Sequence, residues 1–220
     1  MNKVKCIVLA VLATIVVSTA MAVTPSPKRD FRGAWLSTVW AIDWPSHRDT
    51  TEEASKSQKV ELRGILENYE KCNINECYFQ VRGMSDAMYN SAYEPWSQYL
   101  TGKRGLAPTY DPFEYVIEES HKRGIEVHAW INPYRYATSE DNYGRLATDY
   151  SNTHPDWLIN CGGIHILNPG LPEVREQIVK IVVDILEKYD VDGIVFDDYF
   201  YQNGMMDSYD DEIGVVIRLI

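Results

Sequence analysis

The chain reads as an α/β protein of the (β/α)8 TIM-barrel type in which about the first four βα units are present, and three observations carry that expectation. Short β-type runs alternate with amphipathic helical stretches along the chain. No hairpin signal intervenes, so the strands are expected to run parallel, joined by right-handed crossovers. Every long, aromatic loop follows a strand, whereas each helix returns through only a few residues, as at Lys71-Cys72-Asn73, Gly124 and Asp190-Val191-Asp192. That asymmetry favours a barrel over an open doubly wound sheet, which would usually carry a glycine-rich turn where Ser37-Thr38-Val39-Trp40 stands.

Strand one spans Phe31 to Thr38. A loop with Trp40, Trp44 and Pro45 leads to a helix from about Glu52 to Lys71, apolar at Val60, Leu62, Ile65, Leu66 and Tyr69. Strand two, Ile74 to Arg82, precedes a loop from Gly83 to about Tyr110. Asp111-Pro112 then supplies an N-cap followed by proline in the first turn, and the helix runs to Arg123 before the glycine stop at Gly124. Strand three is Ile125 to Asn132. The loop from Pro133 to about Pro169 is rich in turn formers, a helix covers Leu171 to Tyr189, and strand four runs from Gly193 to about Tyr199.

Composition narrows the function. The chain has 220 residues, 45% of them hydrophobic, with 21 Lys+Arg against 32 Asp+Glu and a formal charge of -11. An acidic chain of this kind lacks the basic face whose counterion release drives binding to nucleic acid, so no nucleic-acid partner is expected. Residues 1–22 have an export pattern: Lys3 and Lys5, an apolar stretch from Cys6 to Val17, and a small-x-small site at Ala20-Met21-Ala22. They are expected to be a cleaved signal peptide, with 23–30 a linker and the protein exported to the periplasm or beyond. The apolar stretch is shorter than the roughly 20 residues that span a bilayer, so no transmembrane anchor is expected after cleavage. Cys72, Cys77 and Cys161 lack zinc-ligand spacing and are expected to be buried thiols or at most one incidental disulfide. Aromatic residues are abundant, with 15 Tyr, 6 Trp and 5 Phe, which suits either stacking surfaces or an aromatic core.

Alternation of faces sorts each strand into a barrel-facing and a helix-facing set. Gly193, Val195 and Asp197 fall on one face of strand four, Ile194 and Phe196 on the other. Strand three offers Glu126, His128, Trp130 and Asn132 against Val127, Ala129 and Ile131, and strand two offers Tyr78, Gln80 and Arg82 against Cys77, Phe79 and Val81. The expected mouth is therefore lined by Trp35, Gln80, Arg82, His128, Trp130, Asn132, Asp197, Asp198 and Tyr199. A carboxylate, an arginine, amides and aromatic faces suit a sugar: rings to stack on C–H faces, polar groups for hydroxyls, and a carboxylate against a developing oxocarbenium. Each has a plainer alternative. His128 reads equally as a satisfied core histidine, and Arg82 as a partner of Asp198 or Asp86. Tyr89, Tyr93, Trp96 and Tyr99 read as a sugar platform or as a small core beneath a long loop.

Five ordered motifs resemble the glycosyl hydrolase-like 10 family: Phe31-Arg32-Gly33-Ala34-Trp35; Phe79-Gln80-Val81-Arg82-Gly83 with Glu94-Pro95-Trp96; His128-Ala129-Trp130-Ile131-Asn132-Pro133-Tyr134-Arg135; Leu167-Asn168-Pro169-Gly170; and Asp192-Gly193-Ile194-Val195-Phe196-Asp197-Asp198-Tyr199-Phe200-Tyr201. The resemblance covers about residues 30 to 212. It implies a (β/α)8 barrel, an exported location and action on bacterial glycans, including peptidoglycan strands stripped of their stem peptides. The wider similarity to α-amylases and α-galactosidases places their strand-four nucleophile at Asp197, five residues after Asp192. Val195 stands where those families have Arg or Lys.

The sequence therefore predicts a glycoside hydrolase with Asp197 and Asp198 catalytic, a polysaccharide or peptidoglycan substrate, no cofactor and no metal. Residues 31–212 are expected to form the N-terminal half of the barrel, with strands one and four as unpartnered edges. The apolar end at 213–220 is expected to be an aberrant or truncated tail, and the partner acid is expected from a later strand. The competing reading is a non-catalytic carbohydrate-binding protein or an inactive fragment lacking that acid. Metal-dependent deacetylation would need several ligands, and only His128 falls near Asp197 in this arrangement.

Overall fold

The computed structural model describes residues 30–138, 144–161 and 163–197, so the expected signal peptide, most of the linker, Asp198, Tyr199 and the 213–220 tail lie outside the described residues. Four strands, β1 (Gly33–Leu36), β2 (Glu76–Arg82), β3 (Glu126–Ile131) and β7 (Gly193–Phe196), form a wholly parallel sheet in the order β1-β2-β3-β7. The order follows the chain without reversal, as in a barrel; a doubly wound sheet turns back at a switch point. Among the described residues β1 and β7 are the sheet edges.

Local chemistry accounts for the crossover helices. Helix α1 (Glu52–Lys71) is capped by Thr51, whose hydroxyl oxygen accepts from the Ala54 N–H at 3.2 Å, and Glu52 and Glu53 complement its positive end. Asp111 caps α3 (Pro112–His121) by accepting from Phe113 and Glu114, and Gly124, at φ 67°, turns the chain out of it. The third crossover is α5 (Pro172–Lys188), with Pro172 in its first turn. These helices pack on one face of the sheet. Leu36, Cys77, Phe79, Val81, Val127, Ala129 and Ile131 are completely buried there against Leu62, Phe113, Val116, Ile181 and Ile185, with Phe79 and Phe113 stacked at 5.8 Å.

The opposite face carries Trp35, Tyr78, His128 and Trp130, which remain partly open, Trp35 being 48% exposed. Two glycines make room for its rings. A Cβ on Gly33 would meet Tyr78 Cε2 at 2.5 Å, and one on Gly193 would meet His128 Nδ1 at 2.4 Å.

Two expectations are corrected. The segment 133–169 is not an unstructured loop: β4 (Arg135–Thr138), β5 (Leu158–Cys161) and β6 (Ile164–Leu167) form a second, antiparallel sheet ordered β4-β6-β5, with a single helical turn, α4 (Tyr150–Thr153), between β4 and β5. Its hairpin had a sequence signal, Gly162-Gly163 between two four-residue strands. In the loop after β2, which contains the short helix α2 (Gln98–Thr101), Tyr89 and Tyr99 are buried as local core, while Tyr93 stays half exposed. Cys77 is buried but Cys72 is exposed, and both are free thiols. Among the described residues no helix is long and apolar enough to cross a membrane.

Candidate active site

At the C-terminal ends of the parallel strands lies a cleft of about 510 Å³ lined by Ser37, Val39, Trp40, Ile42, Gln80, Trp130, Asn132, Arg135 and Asp197. Its frame is a chain of amide hydrogen bonds across the sheet. The Gln80 Oε1 accepts from the backbone N–H groups of Thr38 and Val39, both at 2.9 Å, and from the Ser37 hydroxyl at 3.0 Å. Its Nε2 donates to Asn132 Oδ1 at 2.5 Å, and Asn132 Nδ2 donates to the Asp197 carbonyl at 2.7 Å. One glutamine and one asparagine thus tie the loop after β1, β2, β3 and the end of β7 together.

Within this frame Asp197 is the single carboxylate among the described lining residues, and among the described residues no side chain pairs with it. Trp130 has its ring edge-on to Trp35, centroids 4.8 Å apart, and its indole N–H is shielded yet has no hydrogen-bond partner among the described residues. A buried donor without a partner is uncommon and costs on the order of 1–3 kcal/mol, so a ligand acceptor at this point would relieve a standing penalty. Trp40 forms the outer wall, 46% exposed, with the Arg135 guanidinium 5.8 Å from its ring centroid. Trp40 and Ala41 both adopt left-handed backbone, φ 54° and 53°, a conformation that costs non-glycine residues on the order of 1 kcal/mol or more each and concentrates at ligand sites. Asp43 supports this turn by accepting from Ser37 N–H at 2.8 Å.

Of the residues expected in the mouth, Gln80, Trp130, Asn132 and Asp197 come together there. Trp35 lies one layer down, beside Tyr78 at 4.7 Å. His128 lies at the same level as Trp35: it pairs in register with Tyr78 and with Gly193, at the start of β7, and its ring neighbours Tyr78 and Glu126. With Glu76 and Glu126 it forms a group whose ligand atoms lie within 4.8 Å of one another, at the opposite end from Asp197.

Arg82 is the clearest correction. Gln80 pairs with Trp130 and Arg82 with Ile131, two steps on β2 against one on β3, and this bulge turns Arg82 away from the mouth. The side chain is fully buried and all its donors are used: Nε and Nη2 bind Glu94 at 2.7 and 2.6 Å, Nη2 also binds Ser85, and Nη1 donates to the carbonyls of Asn132 and Pro133. Burial alone would lower the Arg82 pKa, but the charge and hydrogen bonds of Glu94 outweigh it, so the guanidinium stays charged. Nearby, Arg104 binds Asp149 at 2.9 Å and the Ser85 carbonyl at 2.7 Å. Both arginines fasten the long loops to the strand ends. Trp40 and Arg135 were missed as wall residues because neither sits on one of the four parallel strands where alternation could place it.

Residues 30–213 match the family described as glycosyl hydrolase-like 10. The chain is 39% identical over 199 residues to the glycosyl hydrolase YngK of Bacillus subtilis, covering 90% of this chain and 38% of that protein. It is 37% identical over 193 residues to the glycosyl hydrolase DigH of Escherichia coli, covering 82% and 44%. It therefore spans less than half the length of these curated relatives. Among solved structures, an α-L-fucosidase from Paenibacillus thiaminolyticus aligns with a TM-score of 0.51 at 18% identity, covering 76% of this chain and 23% of that one, a likeness of fold. The chain belongs to the glycosyl hydrolase-like 10 family.

Proposed function

We propose that the protein takes part in hydrolysis of O-glycosyl bonds in a bacterial glycan, with peptidoglycan strands stripped of stem peptides as the substrate class. The observation that carries this reading is a carboxylate, Asp197, at the strand ends of a barrel-type sheet, beside an indole donor with no partner among the described residues and an exposed tryptophan. In the mechanism Asp197 faces the anomeric carbon, where its negative charge stabilises the oxocarbenium-like transition state or adds to it covalently. Trp130 and Trp40 offer ring faces to the sugar, the Trp130 N–H donates to a hydroxyl, and Asn132 and Gln80 hold the strand end that carries Asp197. A second carboxyl group has to protonate the leaving oxygen, about 5–5.5 Å from Asp197 for retention or about 6.5–9.5 Å for inversion. Asp198 stays a proposed neighbour of the nucleophile, Tyr199 a proposed stacking residue, and residues 1–22 a proposed export signal.

Incubating the purified protein with de-peptidated glycan strands is expected to release soluble oligosaccharides. An Asp197→Asn variant is expected to lose that release; wild-type turnover by the variant would remove Asp197 from the mechanism. The second reading, glycan binding without turnover, is favoured by the single carboxylate among the described lining residues. Calorimetric titration separates the two, since it records binding whether or not product appears.

A further inference from the structure

A second groove, about 490 Å³, shares no lining residue with the mouth and lies where Tyr93 of the β2 loop and the turn Pro155–Trp157 meet the N-terminal half of α5. One wall is aromatic and fixed. Trp157 stacks on His154 at 4.1 Å and 30°, and the Tyr150 ring lies 5.4 Å from Trp157. Tyr150 is only 9% exposed, and its hydroxyl is held at both ends, donating to Glu94 at 3.3 Å and accepting from Gln177 Nε2 at 3.1 Å. Through Glu94 this wall is anchored to buried Arg82, so its ring positions are set before any ligand arrives.

The facing wall is polar. Glu173, Glu176, Gln177 and Lys180 recur at helical spacing, so α5 turns one polar face into the groove. Among the described residues, no hydrogen bond or ion pair engages the carboxylates of Glu173 and Glu176 or the ammonium of Lys180. Tyr93 completes the rim, 46% exposed.

We propose that this groove is a second saccharide-binding site, taking a short run of pyranose rings. Its volume falls within the ~300–1,000 Å³ of small-molecule sites. A pyranose presents an apolar C–H face edged by hydroxyls. Trp157 and Tyr93 supply flat surfaces for that face, and the paired carboxylates accept from vicinal hydroxyls while Lys180 donates. Phosphorylated ligands fit poorly, because two carboxylates outnumber one lysine. An aliphatic side chain also fits poorly, because the tyrosine that closes the floor leaves flat ring surfaces and no deep apolar hole. The site needs neither Asp197 nor any hydrolytic step.

The test is titration with chitotetraose and, separately, cellotetraose, reading the Trp157 indole resonance by NMR and the affinity by calorimetry. It is run on an Asp197→Ala/Arg135→Ala background, which removes both charged side chains that line the mouth, and the Trp157 signal then reports on the second groove. At least one tetrasaccharide is expected to bind this background and shift the Trp157 signal. Tyr93→Ala and Glu176→Gln, both at exposed positions, are each expected to weaken that binding about tenfold. Trp157→Phe, which keeps a ring in the half-buried position, is expected to weaken it less. The inference is overturned when neither tetrasaccharide binds the background, or when binding survives Tyr93→Ala and Glu176→Gln unchanged. A wild-type protein that binds here yet never cleaves glycan leaves this site standing and removes the hydrolytic reading of the mouth.

Discussion

Removing Glu94 should unfold the loops from the inside. In Glu94→Ala the Arg82 guanidinium loses both oxygens it holds at 2.6 and 2.7 Å, while remaining in a position with no solvent exposure. The carbonyls of Asn132 and Pro133 and the Ser85 hydroxyl still bind it, but none of them neutralises its charge. Breaking a buried pair from one side costs about 3–5 kcal/mol, most of it from the stranded charge. With a urea slope of roughly 2 kcal/mol per molar, the unfolding midpoint should fall by about 2 M, followed by tryptophan fluorescence. Two controls give the number meaning. Lys122→Ala removes a surface pair with Glu119 and should leave the midpoint unchanged. The double variant Arg82→Met/Glu94→Leu removes both charges and should be less damaged than Glu94→Ala alone. A Glu94→Ala midpoint no lower than that of Lys122→Ala, or a double variant worse than the single, would refute the buried-tether argument.

Other outcomes follow from the same coordinates. Gly33→Ala forces a Cβ to 2.5 Å from Tyr78 Cε2 and should cost about 1–3 kcal/mol, measured by thermal unfolding, with partial recovery when Tyr78→Ala is added. Burial pushes the Cys77 thiol up to about 12, so alkylation at pH 8 followed by peptide mapping should label exposed Cys72 rapidly and Cys77 only after unfolding. For Asp192, burial raises the pKa, but the Val127 N–H and His121 outweigh it, leaving the carboxyl below its ordinary value. A depressed folded-state value means that its contribution is complete above the ordinary Asp range, near pH 3.9, and is lost as pH falls through the lower folded value. Stability measured from pH 6 to 2 should therefore decline more steeply in the wild type than in Asp192→Asn.

Alternation predicted the sheet faces well where the strands are regular. Val127, Ala129 and Ile131 went to the core, and Trp130, Asn132 and Asp197 reached the mouth, because a two-residue period leaves no freedom once one position is assigned. The same rule failed at Arg82, since one extra residue in a bulge reverses every later position and leaves no mark in the composition. Trp40 was beyond it as well: the left-handed turn that exposes its ring comes from the Gln80 and Asp43 hydrogen bonds, which are remote or side-chain contacts. The second sheet was not expected: its strands are four residues each, too short for periodicity to stand out, and Gly162-Gly163 is a lone turn signal between two of them.

The amide chain from Gln80 through Asn132 to the Asp197 carbonyl makes occupancy of the mouth and closure of the sheet a single equilibrium. Its last bond exists only when β7 has docked on β3, so a ligand held by Asp197 draws its free energy partly from the docked state. Sugar in the mouth should consequently slow hydrogen exchange at amides that bridge the last strand, such as the Asp197 N–H bound to the Ile131 carbonyl. The edge strand then acts as a reporter: its opening rate measures how firmly the cleft is filled.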